Sequence, residues 1–243
     1  VQRYAEERVI EWAKLRGVKQ RPLIWASRTP TINLAPPYKA DEHLFIPPFL
    51  ADAVSRTETI VRVLQKIVSQ PITHDYCIRI CARLSSFAIS EDEPQGDLRY
   101  FSLLIEERDN LIKLFKKGAS LKVLLYWSIE EYLKFPDASI PKAKARLKQL
   151  RSFLQEILEN ENLLSRAVFV KVPISERNLL FLGEDYFFEG RKLDVRGGFD
   201  ATQVITDIEV IQREIEMFDR LFENAVNYMC KTRGPVSYTH LTL

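Results

Sequence analysis

Three groups of side chains in this chain could do chemistry. The first is Gly190-Arg191-Lys192 followed by Arg196-Gly197-Gly198, which sets three cations and three glycines in one loop. Backbone N–H groups bared by glycine, beside guanidinium groups, suit a phosphate or carboxylate ligand; a solvated loop would use the same residues. The second is Glu184-Asp185 at a hairpin tip, with Asp194 and Asp200 downstream. Clustered carboxylates hold divalent cations through oxygen, but acidic residues also populate hairpin turns for backbone reasons alone. The third is Lys142, Lys144, Arg146, Lys148 and Arg151, five cations without an acid over ten residues. Lys144, Lys148 and Arg151 share a helical face that either tracks a nucleic-acid backbone or is simply solvated.

Other chemistries have no residues to carry them. No Ser, His and Asp spacing suggests a nucleophilic triad, and there is no Gly-Lys-Ser/Thr phosphate loop or other cofactor motif. His43 precedes Leu-Phe, His74 precedes Asp-Tyr, and His240 lies in the tail. Cys77 and Cys81 fall four apart in a predicted strand, which sets them about 13 Å apart on one face. That spacing is too long for a disulfide and wrong for a metal clip, so both read as buried thiols acting as small hydrophobes.

The 243 residues suffice for one large domain or a domain with an extension. A hydrophobic content of 46% and a charged content of 28% are ordinary for a globular protein, and 35 basic against 33 acidic side chains say little about partners. No apolar run approaches the roughly 18 residues that span a bilayer, so a cytoplasmic location is expected. Val1 is expected to lie downstream of the natural start. Residues 234–243, Gly-Pro-Val-Ser-Tyr-Thr-His-Leu-Thr-Leu, read as an artefactual tail.

The positioning elements follow from periodicity. Ala5, Val9, Trp12 and Ala13 predict a helix over 2–16, and six prolines between 18 and 48 predict an irregular apolar strap. A second helix is predicted over about 49–69. Together these make an N-terminal, proline-rich extension over 1–75. From Tyr76 the pattern changes. Strands are predicted at 76–82, 121–127, 167–173, 178–182, 186–189 and 203–205. A helix capped by Asp97 and closed by Gly118 places Phe101, Leu104, Ile105, Leu111, Ile112 and Phe115 inward. Ser139 and Pro141 open another helix, with Ala143, Leu147, Leu150, Leu154 and Ile157 inward. Thr206 and Glu209 form a predicted capping box for a last long helix with Ile208, Ile211, Ile215, Phe218, Phe222, Ala225 and Met229 on its stripe. Val210, Met217 and Leu221 widen that stripe, which favours packing on a sheet over a coiled-coil seam. The order β-α-β-α-β-β-β-α predicts an α/β domain over 76–233, a mixed sheet flanked by helices.

The stretch Leu103–Trp127, with Lys-Lys-Gly-Ala-Ser-Leu-Lys-Val-Leu-Leu at its centre, resembles the helix–turn–buried strand of phospholipase D-like domains. About fifty residues later that family carries an H-x-K-x4-D motif on a strand. Here Glu176-Arg177-Asn178-Leu179-Leu180-Phe181-Leu182-Gly183 stands in the corresponding register. Glu176 takes the place of the histidine, Asn178 of the lysine and Gly183 of the aspartate, and Gly190-Arg191 replaces a later Gly-Ser. The resemblance covers roughly residues 76–229 and rests on element order and hydrophobic pattern. It implies a lobe that pairs with a second copy. In such a family one histidine attacks phosphorus and lysines neutralise the phosphoryl oxygens. Glu176 would present negative charge to a phosphodiester, and Asn178 removes the local cation.

The expectation is therefore a non-catalytic, degenerate module for ligand sensing or protein interaction, regulatory in role. It needs no cofactor, and its anion site uses Arg191, Lys192, Arg196, Gly197 and Gly198. Glu176, Asn178 and Gly183 are vestigial positions. A rival is a phosphodiesterase or nuclease with a rearranged site, in which Glu176, Glu184 and Asp185 serve as metal ligands or acid/base groups. A third reading is a nucleic-acid-binding protein that uses the basic helix.

Overall fold

The computed structural model describes residues 46–72, 75–83, 85–93, 97–126, 139–172, 177–191 and 201–233, the side chains of 191 and 231–233 excepted. The chain divides into two units, Val1–Leu44 and Phe45–Leu243, and every described residue belongs to the second. The helix expected over 2–16, most of the strap, His43, His74, Trp127, Glu176, Lys192, Asp194, Arg196, Gly197, Gly198, Asp200 and the tail with His240 lie outside the described residues.

Residues 46–72, expected in the extension, join the sheet-bearing unit instead. Phe49–Leu50 forms a short strand, β1, and the helix begins later, at α1 (Ala53–Val68). Asp52 sets that start, because its Oδ1 accepts the Ser55 N–H at 2.8 Å. The buried stripe of α1 is Ile60, Val61, Val63, Leu64 and Ile67.

Six further strands follow: β2 (Cys77–Ala82), β3 (Ser120–Leu125), β4 (Ala167–Lys171), β5 (Arg177–Leu182), β6 (Tyr186–Arg191) and β7 (Ala201–Ile205). The sheet has seven strands in the order β1-β7-β6-β5-β2-β3-β4. β2, β3 and β4 run parallel, and the remaining pairings are antiparallel. The expected mixed α/β architecture is what forms.

Helices cover both faces. On one face α5 (Ile208–Arg233) presses Ile211, Ile215, Phe218 and Phe222 against Cys81, Leu124, Val170, Leu179, Phe181 and Phe187. Phe181 and Phe187 stack at 4.2 Å between centroids, and Phe218 meets Phe181 edge-on at 5.8 Å. On the other face lie α1, α2 (Leu98–Lys116) and α3 (Ile140–Leu158), with a short α4 (Glu161–Leu164) leading into β4. There Phe153 of α3 stacks on Phe87 at 4.6 Å and meets Phe115 and Phe169 edge-on.

Three local expectations change. The cap of α5 is Asp207, whose Oδ1 accepts the N–H groups of Glu209 at 3.0 Å and Val210 at 3.2 Å. Ile208, Met217 and Leu221 are exposed at 56%, 52% and 51%, because the apolar stripe of α5 spans more of the helix than the sheet covers. In α2 the buried side chains are Glu107, Arg108, Asn110, Leu111, Leu114 and Phe115, while Phe101, Leu104, Ile105 and Ile112 are half-buried. The helix turns charged groups inward because partners on neighbouring segments receive them.

Candidate functional site: the carboxyl edge of the sheet

Ligands of open α/β sheets bind beyond the carboxyl ends of the parallel strands. Here β2, β3 and β4 end at one edge with Ala82, Leu125 and Lys171. The antiparallel pairing of β5 with β2 and of β6 with β5 brings the start of β5 and the end of β6 to the same edge.

Register then aligns a row of cations. Cys81 pairs with Leu179, so Arg83, two residues on, comes level with Arg177. Arg177 pairs in turn with Arg191, and the Tyr126 N–H donates to the Ala82 carbonyl at 3.2 Å. Tyr126, Arg83, Arg177 and Arg191 thus occupy neighbouring strands at one level. Alternation gives Arg177 the face shared with Leu179 and Phe181, the face that α5 covers.

Arg177 is fixed by two acids. Its Nε donates to Glu189 Oε1 at 2.7 Å and its Nη2 to Glu214 Oε2 at 2.7 Å. The Glu189 side chain is fully buried, while Arg177 keeps 26% of its side-chain surface exposed. Burial works against the Arg177 charge, but the hydrogen bond to Glu214 and the field of Glu189 outweigh it and hold the guanidinium firmly protonated. The same packing pushes the Tyr126 phenol well above its ordinary range, chiefly through burial. The site therefore presents a rigid guanidinium backed by carboxylates. At the opposite end of the same face, Arg79 grips Asp219 through two 3.1 Å hydrogen bonds, and Lys122 adds a third at 3.0 Å. α5 is held by ion pairs on both sides of its phenylalanine patch.

The residues singled out in the sequence separate in space. Asn178 lies at this edge, paired with Gly190, and alternation turns it to the face away from Arg177. Gly183 lies at the far end of β5 with φ +61°, in the turn before β6. Five residues of strand put these two positions about 16 Å apart. Glu184 and Asp185 share the far turn, where Gln212 donates to Glu184 at 3.4 Å. They are a strand length from the edge that Arg177 opens. Among the described residues no group of three or more His, Cys, Asp and Glu could hold a metal ion.

The basic run on α3 divides as well. Arg146 turns to the buried Glu93, with Nε 2.9 Å from Oε1. Lys148 reaches Asp92 at 3.4 Å while staying largely exposed. Lys144 and Arg151 are exposed and make no ion pair among the described residues. Cys77 and Cys81 are buried free thiols, and Cys230 is a half-buried one. No described helix is long and apolar enough to cross a membrane.

Sequence reasoning missed Arg83, Arg177, Glu189 and Glu214. One signal was present: Tyr-Phe-Phe-Glu-Gly puts a carboxylate at an inward position of an apolar strand, where a charge is kept only with a partner.

No family model matches this chain, and no curated protein matches it. Among solved structures it is similar to TrmBL2, an archaeal chromatin protein with a novel mode of DNA binding, at 14% identity and a TM-score of 0.44. That superposition covers 91% of this chain and 60% of the other, so the chain spans about three fifths of that protein's length.

Proposed function

We propose that this chain is a non-catalytic, phospholipase D-like module with a regulatory role, which takes a small anionic ligand at the carboxyl edge of its sheet. The observation that carries the reading is Arg177, pinned between Glu189 and Glu214 in the row shared with Arg83 and Arg191. A guanidinium already fixed in place loses little freedom on meeting a carboxylate or phosphate. Lys192, Arg196, Gly197 and Gly198 follow Arg191 directly in the chain and supply further donors. The positions matching the family's histidine and lysine hold Glu176 and Asn178, which supports binding without turnover. The test is thermal unfolding with inorganic phosphate, pyrophosphate and citrate at constant ionic strength. The wild type gains stability with at least one of these anions, and Arg191→Ala loses that gain; an unmoved wild-type midpoint with all three would refute the reading.

A second reading rests on α3, where Lys144, Lys148 and Arg151 stand exposed on one face. Three phosphate contacts from such a stripe predict oligonucleotide binding whose log K falls with log salt at a slope of about −2.7. Lys144→Glu with Arg151→Glu abolishes it. A slope near zero removes this reading and leaves the first intact.

A further inference from the structure

The sheet ends at β4, and no strand among the described residues pairs with its outer side. Two hydrogen bonds fix which main-chain groups point outward. The Leu121 N–H donates to the Arg166 carbonyl at 2.7 Å, and the Val172 N–H to the Leu125 carbonyl at 2.7 Å. A strand residue sends its N–H and C=O to one side, and successive residues alternate. Arg166, Val168, Val170 and Val172 therefore face β3. Ala167, Phe169 and Lys171 turn their main-chain groups outward, where nothing among the described residues bonds them.

The two edges of the sheet differ. At the far edge β1 is only two residues long, and Pro47 and Pro48 precede it. Short strands and prolines protect an edge against a further strand. β4 is five residues long, Ala-Val-Phe-Val-Lys, and carries no proline. Its apolar side chains are already held on both faces. Val168 and Val170 join the cluster that α5 covers, and Phe169 meets Phe87 and Phe153 edge-on at 6.4 Å. An ordered strand with outward donors and acceptors is a template for one more strand.

We propose that this edge pairs with β4 of a second copy of this chain, antiparallel, about a two-fold axis at Phe169. Register carries the choice of occupant. Ala167 then stands opposite the partner's Lys171, and Phe169 opposite the partner's Phe169. Each such pair exchanges two N–H···O bonds, so every outward donor and acceptor of β4 is used. Val168 falls opposite the partner's Val170, a β-branched pair of the kind that stabilises sheets. Lys171 is the strand's one charge, and it meets alanine rather than another lysine, so no like charges oppose. The edge is bounded on both sides: α4 ends at Leu164 before it, and Pro173 after it has no N–H to give. The two-fold uses both β4 edges, so assembly closes at a dimer. The pairing involves no residue of the arginine row and none matched to the phospholipase D motif.

The test is analytical ultracentrifugation of the intact chain from about 1 μM to about 1 mM, the range of weak to moderate affinities. The mass rises toward twice that of the monomer. Amide hydrogen exchange locates the contact. Ala167, Phe169 and Lys171 become protected as concentration rises, while Val168 and Val170, already bonded to β3, do not change. Lys171 is exposed, so Lys171→Pro disturbs no packing, and it removes an outward N–H without breaking the β3 ladder. It weakens the dimer about tenfold or more, the effect of losing two main-chain hydrogen bonds. Lys171→Ala keeps the N–H and dimerises like the wild type. A monomer throughout overturns the proposal. So does a dimer whose three outward amides exchange as fast as in the monomer, or a folded Lys171→Pro that dimerises undiminished.

Discussion

Arg177 Nη2 stands 2.7 Å from Glu214 Oε2, so the first residue of β5 and the helix laid across the sheet share one ion pair. The same guanidinium reaches Glu189, whose side chain has no exposed surface. Removing Arg177 would take from Glu189 its 2.7 Å hydrogen-bond partner in an apolar layer beside Leu179 and Phe187. Arg177→Ala is expected to cost about 3–5 kcal/mol in urea unfolding. Glu214→Gln, which keeps a hydrogen-bond acceptor, costs about 1 kcal/mol. Adding Glu189→Leu to Arg177→Ala recovers part of the loss, because the buried charge that lost the guanidinium is gone. Equal costs for Arg177→Ala and Glu214→Gln would show that Glu189 does not depend on Arg177.

Gly183 turns the chain from β5 into β6 at φ +61°, and a Cβ there would lie 2.6 Å from Tyr76 Cε2. Gly183→Ala combines left-handed strain of about 1 kcal/mol with that contact. The sum is expected to exceed about 2 kcal/mol, as the clash is with a ring packed in place. In the Tyr76→Ala background the same substitution costs less, and a double-mutant cycle reads the difference. Strict additivity would place the ring elsewhere.

Within the basic run of α3, inward and outward cations should behave oppositely. Arg146→Ala leaves Glu93 buried without its 2.9 Å partner and is expected to cost about 3 kcal/mol or more. Lys144→Ala and Arg151→Ala, both on the exposed face, stay within about 0.5 kcal/mol. Chemical unfolding of the three variants settles the ranking.

Asp219 gives the fold a pH dependence of known sign. Burial alone would raise its carboxyl, but hydrogen bonds from Arg79 and Lys122 more than reverse this and hold it below its ordinary value. A carboxyl depressed by folding contributes fully above the unfolded value of about 3.9, and the contribution is lost as pH falls through the native one. The stability gap between the wild type and Asp219→Asn is therefore flat at neutral pH and closes in acid below about pH 4. A gap that widened in acid would contradict the pairing.

The fold was legible where burial and periodicity coincide. Ile78 with Ile80, Leu121 with Val123, and Leu179 with Phe181 sit in strands as their alternation or apolar runs required. Asp97 caps α2 as expected, and Gly118 takes a positive φ of +128°. Asp207 replaced Thr206 as the cap of α5 because two adjacent oxygen-bearing residues compete for one role, and only geometry decides between them. The site was less legible. Charges such as Glu107, Arg177 and Glu189 read as solvated when taken singly, and partners 12 to 37 residues away are invisible to local pattern. Glu184 and Asp185 show the opposite effect. Neighbours of Arg177 and Asn178 in sequence, they lie at the other end of a strand.

The most direct test of the anion site is an NMR titration that follows arginine Nε–Hε resonances while pyrophosphate is added. Arg83 and Arg177 are predicted to shift together and saturably. Arg79, four residues from Arg83 and bound to Asp219 at the far end of the same face, stays in place. Saturation at Arg79 with Arg83 and Arg177 unmoved would contradict the assignment of the carboxyl edge as the binding site.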